Sequence, residues 1–116
     1  MNIKYLFKDV TIDNRTREYV EKRLSGIEKV LDKILKTEVE IDRDKKGLFR
    51  VEVMVSTPRD LFRAEETTES IEGSIDLVVD ELKIQIVKKK DKLWTKIMRG
   101  ARSLKKKMSL DDDARF

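Results

Sequence analysis

Two runs of apolar residues at helical spacing, with alternating residues between them, leave this chain few folds to choose from. Val20, Leu24, Ile27, Leu31 and Ile34 recur at intervals of four and three, and so do Ile71, Ile75, Val78, Leu82 and Ile86. Each set makes one apolar stripe down a helix, and a stripe must be covered by another layer. Between them Val39 and Ile41 alternate with acids, and Val51, Val53 and Val55 alternate with Arg50, Glu52 and Met54. A period of two is the signature of strands with one face buried. Two helices laid on one face of a sheet bury both kinds of stripe.

The punctuation gives the order. Asn2–Phe7 is rich in β-formers and reads as a first strand. Asp13 or Asn14 is a credible N-cap for a helix reaching about Ile34, weakened at Gly26. Strands are predicted over Thr37–Asp44 and Leu48–Thr57, joined by a turn at Lys46-Gly47, and Pro58 ends the second of them. Asp60–Thr67 reads as a fourth strand, with either Phe62 and Ala64 or Leu61 and Arg63 turned inward. Ser70 then caps the second helix. The expected fold is α+β, in the order β-α-β-β-β-α, with both helices on one face of a four-stranded sheet, like a double-stranded-RNA-binding domain. Residues 1–92 form this domain, and 93–116 form a basic extension, helical and then disordered.

Catalysis has little to work with. The chain has neither cysteine nor histidine, which removes thiolate chemistry, the commonest general base and the commonest metal ligand. Glu65 and Glu66 are adjacent on a strand and so point to opposite faces. Asp111, Asp112 and Asp113 sit in a terminal tail, and no Gly-rich phosphate loop occurs. No enzyme activity, cofactor, metal or small-molecule substrate is expected. No apolar run is long enough for a membrane span or signal sequence, so the expected compartment is the cytoplasm.

The charge is unevenly placed. Residues 1–82 carry 15 Lys and Arg against 19 Asp and Glu, a net of −4. Residues 83–108 carry 11 against Asp91 alone, a net of +10, and the last eight residues return −2, for +4 in all. Such asymmetry calls for a polyanionic partner. With Val20 at the centre of the buried face, Arg15, Lys22, Lys29, Lys33 and Lys36 fall on the opposite side of the first helix. Lys83, Lys88, Lys89, Lys90 and Lys92 crowd the second. Side by side, the two helices form one basic surface.

The element order, Arg17-Glu18-Tyr19-Val20, Arg63-Ala64-Glu65, and Ser74-Ile75-Asp76 leading to Lys88-Lys89-Lys90 closely resemble the ribosome hibernation promoting factor family, which includes ribosome-associated inhibitor A. The resemblance covers about residues 1–92. It implies a domain that binds the small ribosomal subunit through rRNA, occupies the messenger and transfer RNA path, and inhibits translation in stationary phase or under stress. Matching positions for the rRNA contacts are Lys22, Arg23, Lys33, Lys88, Lys90 and Lys92, with Lys29, Lys83 and Lys89 as further candidates. Members often have Lys at Gly26, Lys at Glu81 and Arg at Ile84, so three phosphate contacts are missing or reversed here. Long forms add a second domain that pairs ribosomes, for which these 116 residues leave no room; the chain is a short form or the N-terminal part of a longer protein.

The extension continues the helical spacing through Leu93, Ile97 and Leu104. Trp94, Lys96, Arg99, Arg102, Lys105, Lys106 and Lys107 are its candidate RNA contacts; Trp94 either stacks on a base or packs against its own domain. A basic amphipathic helix also suits a membrane surface, but the acidic body offers no second anchor. Two other functions fit the residues. One is a generic module for duplex RNA, read by shape and phosphate. The other is a protein–protein adaptor using Leu77 and Ile84, which lie off the buried stripe.

Overall fold

Val39 and Ile41, and Val51, Val53 and Val55, are fully buried in the two central strands of a four-stranded sheet. The computed structural model describes the backbone of residues 2–107 and the side chains of residues 2–92. Its elements are β1 (Ile3–Lys8), α1 (Asn14–Glu28), β2 (Lys36–Arg43), β3 (Phe49–Ser56), β4 (Leu61–Thr68) and α2 (Ile71–Lys107). The fold is α+β in the order anticipated, within a residue or two at most boundaries. The chain divides into two compact units, Met1–Ile86 and Val87–Phe116.

The spatial order is β1-β2-β3-β4. β1 and β2 are parallel, which requires a crossover, and α1 supplies it. The pairs β2–β3 and β3–β4 are antiparallel. Register follows the apolar pattern: Tyr5, Val39, Val53 and Ala64 stand in one row across the sheet. A slip of one residue would turn every one of these side chains to the wrong face. The open choice in β4 resolves to Phe62 and Ala64 inward, with Leu61 60% exposed.

Val20, Leu24 and Ile27 of α1 join Ile71, Ile75, Val78, Val79, Leu82 and Ile86 of α2 in one core against this face. Asp13 caps α1, its carboxylate accepting from the Thr16 amide at 2.8 Å. That N–H has no partner within the helix, and the bond holds the Asp13 carboxyl below its usual range.

One boundary differs by six residues. The apolar spacing carries α1 to Ile34, but the helix stops at Glu28, with Lys29 as its C-cap. Leu31 and Ile34 are half-buried against the core from a connecting segment. The chain must turn back to begin β2 at Lys36, and Leu31 and Ile34 cover the core without being helical. Periodicity reports which residues are apolar, and in a short connection that need not mean a helix continues.

Candidate nucleic-acid interface

The two helices are held together by polar contacts in step. Tyr19 donates its hydroxyl hydrogen to the Asp76 carboxylate, at 2.7 and 2.9 Å to the two oxygens. Arg23, one turn further along α1, pairs with Asp76 at 2.9 Å and with Asp80 at 3.3 Å. Next comes Gly26, where a Cβ would lie 3.1 Å from the Lys83 ammonium and 3.3 Å from its Cε. Tyr19 and Asp76, Arg23 and Asp80, and Gly26 and Lys83 are each 57 positions apart, and both members advance together, so α1 and the first part of α2 run parallel. The last turns of α1 therefore lie beside the turn of α2 that carries Lys83.

This step explains where the basic surface lies. Lys22 and Lys29 sit four residues before and three after Gly26 and therefore share its side of α1. Both are exposed. Lys83 crosses from α2 into the space Gly26 leaves open, adding a third ammonium beside that row. Among the described residues none of the three forms an ion pair. Arg23, by contrast, is engaged with Asp76 and Asp80 and half-buried, so its first role is to hold α1 to α2.

Two lysines assigned to this helix face lie elsewhere. Lys33 is exposed in the segment after α1, and Lys36 opens β2, where it pairs with Glu38 at 2.6 Å. Both follow from the early end of α1. Lys88, Lys89, Lys90 and Lys92 are exposed on α2 beyond Ile86. The α2 backbone is helical through Lys107, but the side chains of Trp94, Lys96, Arg99, Arg102, Lys105, Lys106 and Lys107, and all of Asp111–Asp113, lie outside the described residues. Leu77 and Ile84 are 47% and 55% exposed.

The face of the sheet away from the helices has a different character. Glu40, Glu52 and Glu65 stand in one row across β2, β3 and β4. Like charges directly opposite on neighbouring strands repel, and Arg50 answers them. Its guanidinium pairs with Asp42 at 3.0 Å, Glu52 at 3.2 Å, Glu40 at 3.6 Å and, more closely, Glu65. Arg63 pairs with Glu52 from the other side. Burial works against the Arg50 charge, but Glu65, Glu52 and Asp42 outweigh it and raise its pKa above the ordinary value. The acids of this face are thus spent on the sheet itself. Glu65 is on it and Glu66 is on the opposite face, half-buried. Among the described residues no group of His, Cys, Asp or Glu could hold a metal ion, and no helix is long and apolar enough to cross a membrane.

Residues 3–94 match the family model described as sigma 54 modulation protein / S30EA ribosomal protein. The chain belongs to this family. The N-terminal domain of protein Y from Thermus thermophilus is similar at 32% identity and a TM-score of 0.66, over 74% of this chain and 96% of that one. A ribosomal subunit interface protein from Coxiella burnetii is similar at 25% identity and a TM-score of 0.71, over 78% and 99%. A ribosome hibernation promotion factor from Deinococcus radiodurans is 30% identical over 97 residues, 80% of this chain and 51% of the relative. The chain thus spans about half the length of that curated relative.

The S30EA match places the polar step between the helices within the family's own region. Tyr19 and Asp76, which belong to two of the sequence stretches that carry the resemblance, prove to be bonded to each other. At Gly26, where the resemblance leads one to expect lysine, the ammonium of Lys83 stands over the glycine. The sequence marks Gly26 as a missing contact and Lys83 as a further candidate; that the two meet becomes visible only once the helices are paired.

Proposed function

We propose that this protein is a ribosome hibernation factor: it binds the small ribosomal subunit through rRNA, occupies the messenger and transfer RNA path and so inhibits translation under stress or in stationary phase. The observation that carries this reading is that Lys22 and Lys29 are exposed on the side of α1 where the Lys83 ammonium rests against Gly26, and that among the described residues none of the three forms an ion pair. Like charges brought together by folding destabilise the domain that holds them, and a row of phosphates relieves them. Lys88, Lys89, Lys90 and Lys92 extend the basic character along α2. The names of the relatives, a subunit interface protein and a hibernation factor, support the ribosome as the polyanion.

The mechanism needs no chemistry. A folded domain seated in the path of messenger and transfer RNA excludes them by volume, and its affinity comes from phosphate contacts with counterion release. Sedimentation with purified small subunits tests this. Binding should fall roughly a thousandfold or more between about 50 and 200 mM salt if six to eight phosphates are met. Excess messenger and initiator transfer RNA should displace the protein. Equal binding to free duplex RNA would favour the generic duplex-binding reading, and a flat salt profile would remove the electrostatic one.

A further inference from the structure

The turn between β2 and β3 is built more firmly than a connection requires. The Gly47 amide donates to the Asp44 carbonyl at 3.0 Å, and the Asp44 amide donates to the Leu48 carbonyl at 2.9 Å. Gly47 has φ of 85°, a left-handed conformation that glycine adopts without a Cβ penalty. The Asp44 carboxylate also accepts from the amides of Lys46 and Leu48, at 2.8 and 2.9 Å. This is a closed turn with a glycine bulge, fixed by four hydrogen bonds.

Its cargo is Arg43, Lys45 and Lys46, all exposed. The Arg43 guanidinium lies over the Phe49 ring at 5.9 Å and 3.9 Å from where a side chain on Gly47 would begin, so it leans toward the tip. Nearby acids offer these cations little. Asp42 is taken by Arg50, and Asp44 is bound to backbone amides. Among the described residues, none of the three has a carboxylate partner. A rigid tip holding three uncompensated cations within four positions is poorly explained as a solvated loop.

The tip is also far from the row on the helices. β1 is parallel to β2 and ends at Lys8, opposite Asp42. α1 therefore starts at the hairpin end of the sheet and carries Lys22 and Lys29 toward the other. Eight-residue strands separate the two ends by roughly 26 Å.

From this geometry we infer that the β2–β3 hairpin tip is a second phosphate-binding contact, through which Arg43, Lys45 and Lys46 grip the backbone of a structured RNA beyond the reach of the helix surface. The inference rests on the RNA-binding reading above and adds a separate site to it. Two contacts at opposite ends suit an extended, folded RNA, because a short anion reaches only one of them. Arg43 supplies a planar fork for a phosphate, while Lys45 and Lys46 act as point charges.

Binding of the full chain to purified small ribosomal subunits, measured across a salt series, tests the hairpin. Lys45→Ala with Lys46→Ala should weaken binding about tenfold or more near 0.1 M salt and reduce the slope of log K against log salt by roughly 1.5. Lys22→Ala with Lys29→Ala serves as the comparison on the helices. If the hairpin variant matches the unaltered protein while the helix variant weakens, the hairpin inference is overturned and the helix reading stands. If the unaltered protein does not bind subunits at all, both fall. The chain has no cysteine, so Lys46→Cys bearing an iron chelate gives a direct readout. Radical cleavage of rRNA at a confined set of nucleotides is expected, and its absence from a bound complex overturns the contact.

Discussion

The Tyr19 hydroxyl donates to Asp76 at 2.7 Å, joining the middle of the first helix to the start of the second across 57 positions of sequence. Asp76 also pairs with Arg23, so one carboxylate holds two side chains of α1. Tyr19→Phe removes one bond and should cost about 1 kcal/mol. Asp76→Ala leaves Tyr19 and Arg23 both without that partner and should cost roughly 2 kcal/mol or more. Urea unfolding of the single and double variants measures this. The double should fall short of the sum of the singles, because both remove the same contact.

A second tyrosine sets the behaviour in alkali. Burial pushes the Tyr5 phenol up to about 12, helped by its hydrogen bond to Glu21. The group's folded value lies above its unfolded value near 10. The stabilisation is therefore full below pH 10 and is lost as pH rises toward 12. Tyr19 is shifted in the same direction, chiefly by its bond to Asp76. Denaturation midpoints measured from pH 9 to about 12 should fall steadily. Tyr5→Phe should make that fall shallower, while leaving the part owed to Tyr19.

Most of the fold was legible because its signals are local. Asp13 caps α1, Val51, Val53 and Val55 face inward, and Ile71 through Ile86 are buried as their spacing demands. The errors have a common cause. Leu31 and Ile34 keep helical spacing in a segment that is not helical, and with them Lys33 and Lys36 left the helix face. The site was legible as composition and not as arrangement. Nothing local distinguishes Arg23, bound to two aspartates 53 and 57 positions away, from Lys22 beside it. The hairpin cations were passed over because Lys46-Gly47 was read for its turn alone, although three cations in four positions around a glycine turn was a signal available in the sequence.

Gly26 and Lys83 yield a prediction in which stability and binding move in opposite directions. A methyl at position 26 would meet only the flexible end of Lys83, at 3.1 and 3.3 Å. Lys83 can swing away at small cost, while alanine in a helix gains about 0.5–1 kcal/mol over glycine. Gly26→Ala should therefore raise the urea midpoint. It should also weaken small-subunit binding several-fold, because the Lys83 ammonium no longer rests beside Lys22 and Lys29. A variant that is more stable and binds as well as before would show that the position of Lys83 is immaterial.

Arg50 gives the last prediction, on the face that the helices leave open. Four carboxylates surround its guanidinium, and Glu52, the most buried of them, has a side chain only 9% exposed. Arg50→Ala leaves Glu40, Glu52 and Glu65 aligned across three strands, with Arg63 still paired to Glu52. Removing one partner of a half-buried ion pair strands the other charges, so the cost should be about 2–3 kcal/mol at pH 7. Much of it is repulsion between partly exposed carboxylates, which salt screens. Raising salt from about 0.05 to 0.5 M should thus narrow the gap between the variant and the unaltered protein. Arg50→Lys keeps the charge but reaches fewer of the four carboxylates, so it should recover only part of the loss. Because this face carries none of the candidate RNA contacts among the described residues, small-subunit binding at a temperature where the variant is folded should be unchanged. A large loss of binding by folded Arg50→Ala would move the interface onto the sheet.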